Sequence, residues 1–198
     1  MRPGGRIQAA AEVLEDILVR HQPAATALAD WGKRHRFAGS GDRAAIGTLV
    51  YDALRRRLSL AAQMGSDTPR ALALGAAPRA LGLSAEDLAN VCDGGAHAPA
   101  PLSEDEARGL RGMAPEGAEP YVAADVPAWA MPSFVRAFGD RAVAEGRAMA
   151  ERAPIDLRVN TLKATREKVL SALASHGARA TPLSPFGVRI SAPHGPAR

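Results

Sequence analysis

The sequence predicts a mainly α protein: a helical bundle over about residues 1 to 150, then a partial α/β unit of strand, helix, strand, strand over 154 to 198. Three observations carry this. Apolar residues recur at helical spacing through most of the first 150 residues. At Pro154 the pattern changes to strict alternation, the period of a strand. Aromatics make up only 4 % of a chain that is 46 % apolar, so the core must be built from Ala, Leu, Val and Ile, which favours close helix packing. A chain of 198 residues holds one ordinary domain or two small ones, which excludes a large multidomain enzyme.

The first helix is carried by Ile7, Ala10, Ala11, Leu14, Ile17 and Leu18, and it stops near His21 and Pro23. A short second helix takes Pro23 in its first turn, with Ala24, Ala27, Leu28 and Trp31 as its stripe. The break Gly39-Ser40-Gly41-Asp42 opens the longest predicted helix, about 41 to 64, with Ser40 as N-cap and Ile46, Leu49, Val50, Ala53, Leu54 and Leu58 on one face. Thr68 and Pro69 start another, to about Ala76. Ser84, with Glu86 and Asp87 in the first turn, caps a helix expected to end at Gly94-Gly95. Ser103 and Glu106 have capping-box spacing for a helix to about Met113. Residues 94 to 101 and 115 to 127 read as loops, and two helices, about 127 to 138 and 140 to 152, are broken at Gly139.

Beyond Pro154, Ile155, Leu157, Val159 and Thr161 alternate with Asp156, Arg158 and Asn160, as in a half-buried strand. Thr165 caps a helix with Val169, Leu170 and Leu173 on one side, closing at Gly177. Extended segments near 179 to 183 and 187 to 191 flank Ser184-Pro185-Phe186-Gly187. A unit of about 45 residues with one helix cannot cover both faces of its sheet. It is therefore expected either to pack on the helical part or to be the opening of a larger domain.

Several chemistries are excluded or left without support. The single cysteine, Cys92, excludes a disulfide framework and a multi-cysteine zinc site, and it fits a reducing cytoplasm. Histidines at 21, 35, 97, 176 and 194 have no metal-ligand spacing, so no metal is expected. Glu12, Glu15 and Asp16 interrupt the apolar stretch that a signal peptide would need, and no apolar run approaches the roughly 18 residues of a membrane span. The expectation is a soluble, cytoplasmic protein with no membrane partner. Gly39 to Ala44 matches G-x-G-x-x-A, but no strand precedes it; the glycines are read as a helix entrance and no bound cofactor is assigned.

The net charge of +4 is unevenly spread. Residues 1 to 70 carry 11 basic and 7 acidic side chains, 71 to 150 carry 6 and 11, and 151 to 198 carry 8 and 3. Two basic segments thus flank an acidic middle, and 22 of the 25 cations are arginine, whose planar fork suits phosphate. In the first segment, Lys33, Arg34, Arg36, Arg43 and Arg55 read either as a phosphate-binding surface or as an ordinary solvated helix face. Within Arg55-Arg56-Arg57, Arg56 is placed to pair with Asp52 at i, i+4, and Arg55 is expected to be free. In the last segment, Arg158 and Asn160 share the polar face of the first strand and Lys163 follows at its end. They form either a solvent-facing surface or an RNA-contacting one, where cations neutralise phosphates and Asn orients a base or ribose hydroxyl. The strand has no aromatic residue for base stacking.

The octapeptide Asp156-Leu157-Arg158-Val159-Asn160-Thr161-Leu162-Lys163 resembles the L-R-V-N-T-L-K signature of the RsmB/Sun family of bacterial rRNA cytosine-5 methyltransferases. Ser40-Gly41-Asp42-Arg43, with Leu49-Val50-Tyr51 and Leu54-Arg55, resembles the helix of the NusB-like domain at the front of those enzymes; Pro127-Ala128-Trp129 leading to Phe138-Gly139-Asp140 is similar to their P-x-W to F-G bridge. The resemblance implies a NusB-like domain over 1 to 150 and the start of an RNA-binding subdomain over 154 to 198. It also implies 16S rRNA as the partner, without DNA, and a monomer. In that family a cysteine thiolate attacks C6 of cytosine, C5 takes the methyl of S-adenosylmethionine, and a second cysteine assists elimination. The Pro-Cys and Thr-Cys motifs and the glycine-rich donor loop are absent here, so no catalytic or cofactor residue is assigned and the chain alone is expected to be inactive. A free-standing NusB-like antitermination adaptor is the alternative, and a helical protein-interaction module the third option.

Overall fold

The computed structural model describes residues 1–112 and 117–191. The predicted helix end at Met113, the first residues of the loop from Pro115, and the tail through His194 to Arg198 lie outside the described residues. The chain divides into two compact units, one running from Met1 to Ala150 and the other beginning at Glu151. Among the described residues the first is helical and the second carries a three-stranded antiparallel sheet.

In the first unit α1 is Pro3–Leu18, α2 Ala24–Arg34, α3 Ser40–Arg55, α4 Arg57–Met64 and α5 Pro69–Leu81. They are followed by α6 Ala85–Val91, α7 Glu104–Arg111, α8 Pro120–Ala123, α9 Met131–Phe138 and α10 Ala142–Ala150. Helix α5 is the hub. Ala71 to Ala77 are all buried, so it is apolar all round, as a helix enclosed by others must be. It packs against α1, α3, α4 and α7. Its alanines let those neighbours approach closely, and Ile7, Val13 and Leu14 of α1 with Ile46, Leu49 and Val50 of α3 complete the core.

Where signals are local, helices start as predicted. Thr68 accepts from the amide of Ala71 at 3.3 Å. Ser84 with Asp87, and Ser103 with Glu106, form complete capping boxes. The predicted helix over 41 to 64 is two helices, broken at Arg56, whose φ of −121° and ψ of 30° leave the helical region. The break is held from afar: Asp125 accepts from the Ser59 amide at 2.8 Å and from its hydroxyl at 2.6 Å, satisfying a donor that the start of α4 exposes. Ser40 is not the N-cap of α3; it sits in the first turn, Gly39 occupies the cap, and no side chain caps it. Helix α5 continues past Ala76 to a left-handed Gly82, α6 ends at Cys92 rather than at the glycines, and α8 forms within the predicted loop. Gly139 separates α9 from the turn before α10, as expected.

The capping box of α7 also titrates. Glu106 accepts from Arg70 Nε at 2.6 Å and from its own cap amide, Ser103 N, at 2.9 Å. The Arg70 hydrogen bonds, reinforced by the Ser103 amide, hold its carboxyl below the ordinary glutamate value of 4.5 against the opposing effect of burial. A carboxyl depressed in the folded state contributes stability above its unfolded pKa and loses it as pH falls through the folded one. Glu106→Gln should therefore be less stable than the parent at neutral pH, by about 1 kcal/mol given the partial exposure of the pair. The gap should close below pH 4.5, as read by urea unfolding across a pH series.

In the second unit β1 is Ile155–Arg158, α11 Arg166–Ala172, β2 Ala178–Ala180 and β3 Gly187–Ile190. The sheet order is β1-β3-β2, with β3 antiparallel to both neighbours. β1 and β2 are thus parallel, joined through α11 and separated by the strand that comes last, a split βαβ arrangement. Thr165 caps α11 by accepting from the Lys168 amide at 3.3 Å. Gly187 opposes Arg158 in the ladder; a Cβ there would lie 2.0 Å from Thr181 Oγ1, so any other residue would force the Thr181 side chain to move. Helix α11 packs on β2 and β3, and Val188 is fully buried. Over β1 the apolar face is uncovered: Ile155 and Leu157, predicted to be half-buried, are 55 % and 38 % exposed.

Candidate nucleic-acid interface

The paired register assembles the polar face of the sheet. Asp156 on β1 stands opposite Arg189 on β3, which stands opposite Arg179 on β2. The Arg189 guanidinium donates twice to Asp156, at 2.6 and 2.7 Å, and this pair holds the Asp156 carboxyl below its ordinary range. Arg158, two residues along β1 on the same face, is exposed and has no hydrogen bond or ion pair among the described residues. Asn160 lies just past the strand. Its Oδ1 accepts from the Leu162 amide at 3.1 Å and its carbonyl from the Lys163 amide at 2.9 Å, a turn that fixes the loop and leaves the side-chain NH2 available. Lys163 is exposed at the end of that turn.

Two further arginines, Arg179 and Arg189, therefore share the face with Arg158. Their alternation in sequence was visible, but only the strand register puts them beside β1. The Phe186 carbonyl accepts from the Val159 amide at 2.9 Å, which places an exposed aromatic residue against the end of β1, where the strand itself has none.

The predicted cations of the helical unit separate by what they bind. Arg43 donates to the carbonyls of Ala38 and Gly32, at 2.9 and 3.0 Å, and so fastens the end of α2 to α3. Arg55 is not free: its Nε donates to the Ala150 carbonyl at 3.1 Å and its guanidinium lies 3.6 Å from Asp52. Arg56 pairs with Asp52, as its spacing predicts, and Arg57 with Asp67. Lys33 pairs with Asp30 and Arg34 with buried Asp16, both with most of the side chain exposed. Arg36 is exposed and unbonded among the described residues. The structure thus leaves Lys33, Arg34 and Arg36 accessible and commits Arg43 and Arg55 to helix packing.

Cys92 is buried, and burial pushes its thiol up, the opposite of an activated thiolate. Gly39 to Ala44 is the entrance of α3 with no strand before it. Neither Cys92 nor the Gly39 to Ala44 turn therefore offers a feature that chemistry with S-adenosylmethionine would use. No group of three or more His, Cys, Asp or Glu suited to a metal occurs among the described residues, and no helix there is long and apolar enough to cross a membrane.

Residues 126–195 match the family model described as Methyltr_RsmF/B-like, ferredoxin-like domain. The match begins ahead of α9, contains the whole described strand unit, and supports the RsmB/Sun resemblance over that part of the chain. The order β1-β3-β2 seen here is that of the opening βαββ of a ferredoxin-like βαββαβ fold. The fold is also similar to that of a solved structure described as "Crystal Structure of PH0851", at 18 % sequence identity and a TM-score of 0.51. The alignment covers 98 % of this chain and 50 % of that one, so this chain spans half the length of its structural relative. No curated protein matches the chain.

Proposed function

We propose that this chain is the RNA-engaging, amino-terminal part of an S-adenosylmethionine-dependent rRNA cytosine-5 methyltransferase, with a NusB-like helical unit ahead of a ferredoxin-like RNA-binding subdomain. One observation supports this best: the segment that matches the methyltransferase family's ferredoxin-like domain is the one that presents Arg158, Asn160 and Lys163 at the accessible polar face and end of β1. Arg158 and Lys163 neutralise phosphates, and the held Asn160 turn offers a directed amide to a base or ribose hydroxyl. Methyl transfer belongs to residues outside these 198, since neither an activated thiolate nor a donor loop is among them.

Two measurements test this. Arg158→Ala should weaken rRNA binding several-fold and reduce the slope of log affinity against log salt by about one phosphate contact. Unchanged affinity removes the residue from the interface. Calorimetry of the purified chain with S-adenosylmethionine should show no binding; a saturable heat, or methyl transfer to rRNA, would overturn the division of labour.

A further inference from the structure

The helical unit contains a second feature suited to nucleic acid, a cleft of about 750 Å³ between the amino-terminal half of α1, the end of α2 and the loop after α6. Its walls meet closely: a Cβ on Gly4 would fall 2.4 Å from the Val91 carbonyl oxygen, so α1 can lie against the end of α6 only with glycine there. Trp31, His35 and Phe37 line it as an aromatic series. Trp31 and His35 stack with ring centroids 4.3 Å apart and planes 17° from parallel, and Phe37 meets His35 edge-on at 5.8 Å.

These rings are held before any ligand arrives. Trp31 Nε1 donates to Glu12 Oε2 at 3.0 Å. His35 Nδ1 lies 2.9 Å from the Trp31 carbonyl, which can only accept, so that nitrogen carries a proton. Phe37 ends the series and is 69 % exposed, an unusual position for a bare aromatic ring. Lys33, Arg34 and Arg36 alternate with the rings along the chain and are accessible. Glu12 and Asp93 line the cleft and repel phosphate from it, while a carboxylate accepts readily from an amino group on a base edge.

From this arrangement we infer that the cleft takes one unpaired base of a single-stranded RNA, stacked on Phe37, with the adjoining phosphates outside on Arg36 and Arg34. The inference rests on the RNA-binding reading above and adds a second contact point to it. The aromatic series supplies the stacking that single-strand recognition uses. The cations supply charge without sequence preference.

The test uses the full chain and fluorescence anisotropy with a labelled oligoadenylate and with an RNA duplex of equal length. Phe37→Ala should weaken the single strand about tenfold, leave the duplex affinity unchanged and leave the salt slope unchanged, because no phosphate contact is lost. Phe37→Trp should restore binding, and thermal melting of both variants should match the parent because the ring is exposed. Equal single-strand affinity for parent and Phe37→Ala, with salt-dependent binding intact, would overturn this inference alone and leave the wider RNA-binding reading standing. Equal weakening of single strand and duplex would overturn it too. No RNA binding by the parent would remove both this inference and the wider reading.

Discussion

Leu74→Ala is expected to lower the unfolding free energy of the helical unit by about 3–5 kcal/mol, the upper part of the range for a buried leucine truncated to alanine. Leu74 is fully buried on α5, and its neighbours along that helix, Ala73, Gly75, Ala76 and Ala77, are already small. Small neighbours cannot swing in to fill the space, so most of the side-chain volume persists as cavity. Against a total stability of about 5–15 kcal/mol for a domain of this kind, the loss would bring the unit close to its unfolding threshold. Urea unfolding followed by far-ultraviolet circular dichroism measures it. A loss under about 1 kcal/mol would mean that the helices around α5 repack, contrary to the central place given to it here.

The next largest effect is expected at Asp52. Its carboxylate is buried on α3 and faces Arg56 in a close ion pair, Arg55 at 3.6 Å and Arg79 at 3.7 Å. Arg56 Nε is buried without a hydrogen-bond partner, so the pairing with Asp52 is what compensates that guanidinium. Removing one member of a fully buried pair costs about 3–5 kcal/mol, and the partial exposure of the arginines reduces this to about 2–3 kcal/mol for Asp52→Ala. Asp52→Asn keeps the shape, removes the charge, and should fall between parent and alanine variant. Equal stability of all three would show that the arginines find compensation without the carboxylate.

What could be read from the sequence followed the reach of each signal. Ser84 with Asp87, Ser103 with Glu106, and Thr165 with Lys168 act within three residues, and all three caps form where the chain pattern puts them. The break at Arg56 depends on Asp125, 66 residues away from Ser59, and no periodicity in α3 and α4 announces it. Arg55 points away from the apolar stripe, yet a carbonyl 95 residues further on captures it. On the sheet, alternation predicted one polar face for Arg158 and Asn160, but β1 ends at Arg158 and Asn160 lies in the turn beyond it, and joining Arg179 and Arg189 to Arg158 required the register of β1, β3 and β2. The exposed Ile155 and Leu157 follow from the same cause: a period of two says that one face is apolar, while the packing of α11 decides which part of it is covered. Trp31 reads in the sequence only as part of an apolar stripe, and Phe37 not at all; their grouping with His35 emerges from the ring geometry.

The central claim is that accessible cations of this chain grip RNA through its phosphates, and the salt dependence of binding tests it most directly. With a single-stranded rRNA segment, log affinity should fall linearly with log salt, with a slope of about −2 or steeper if three or more phosphates are neutralised, at about −0.7 each. An affinity that does not change between low and physiological salt, or no detectable binding at low salt, would contradict it.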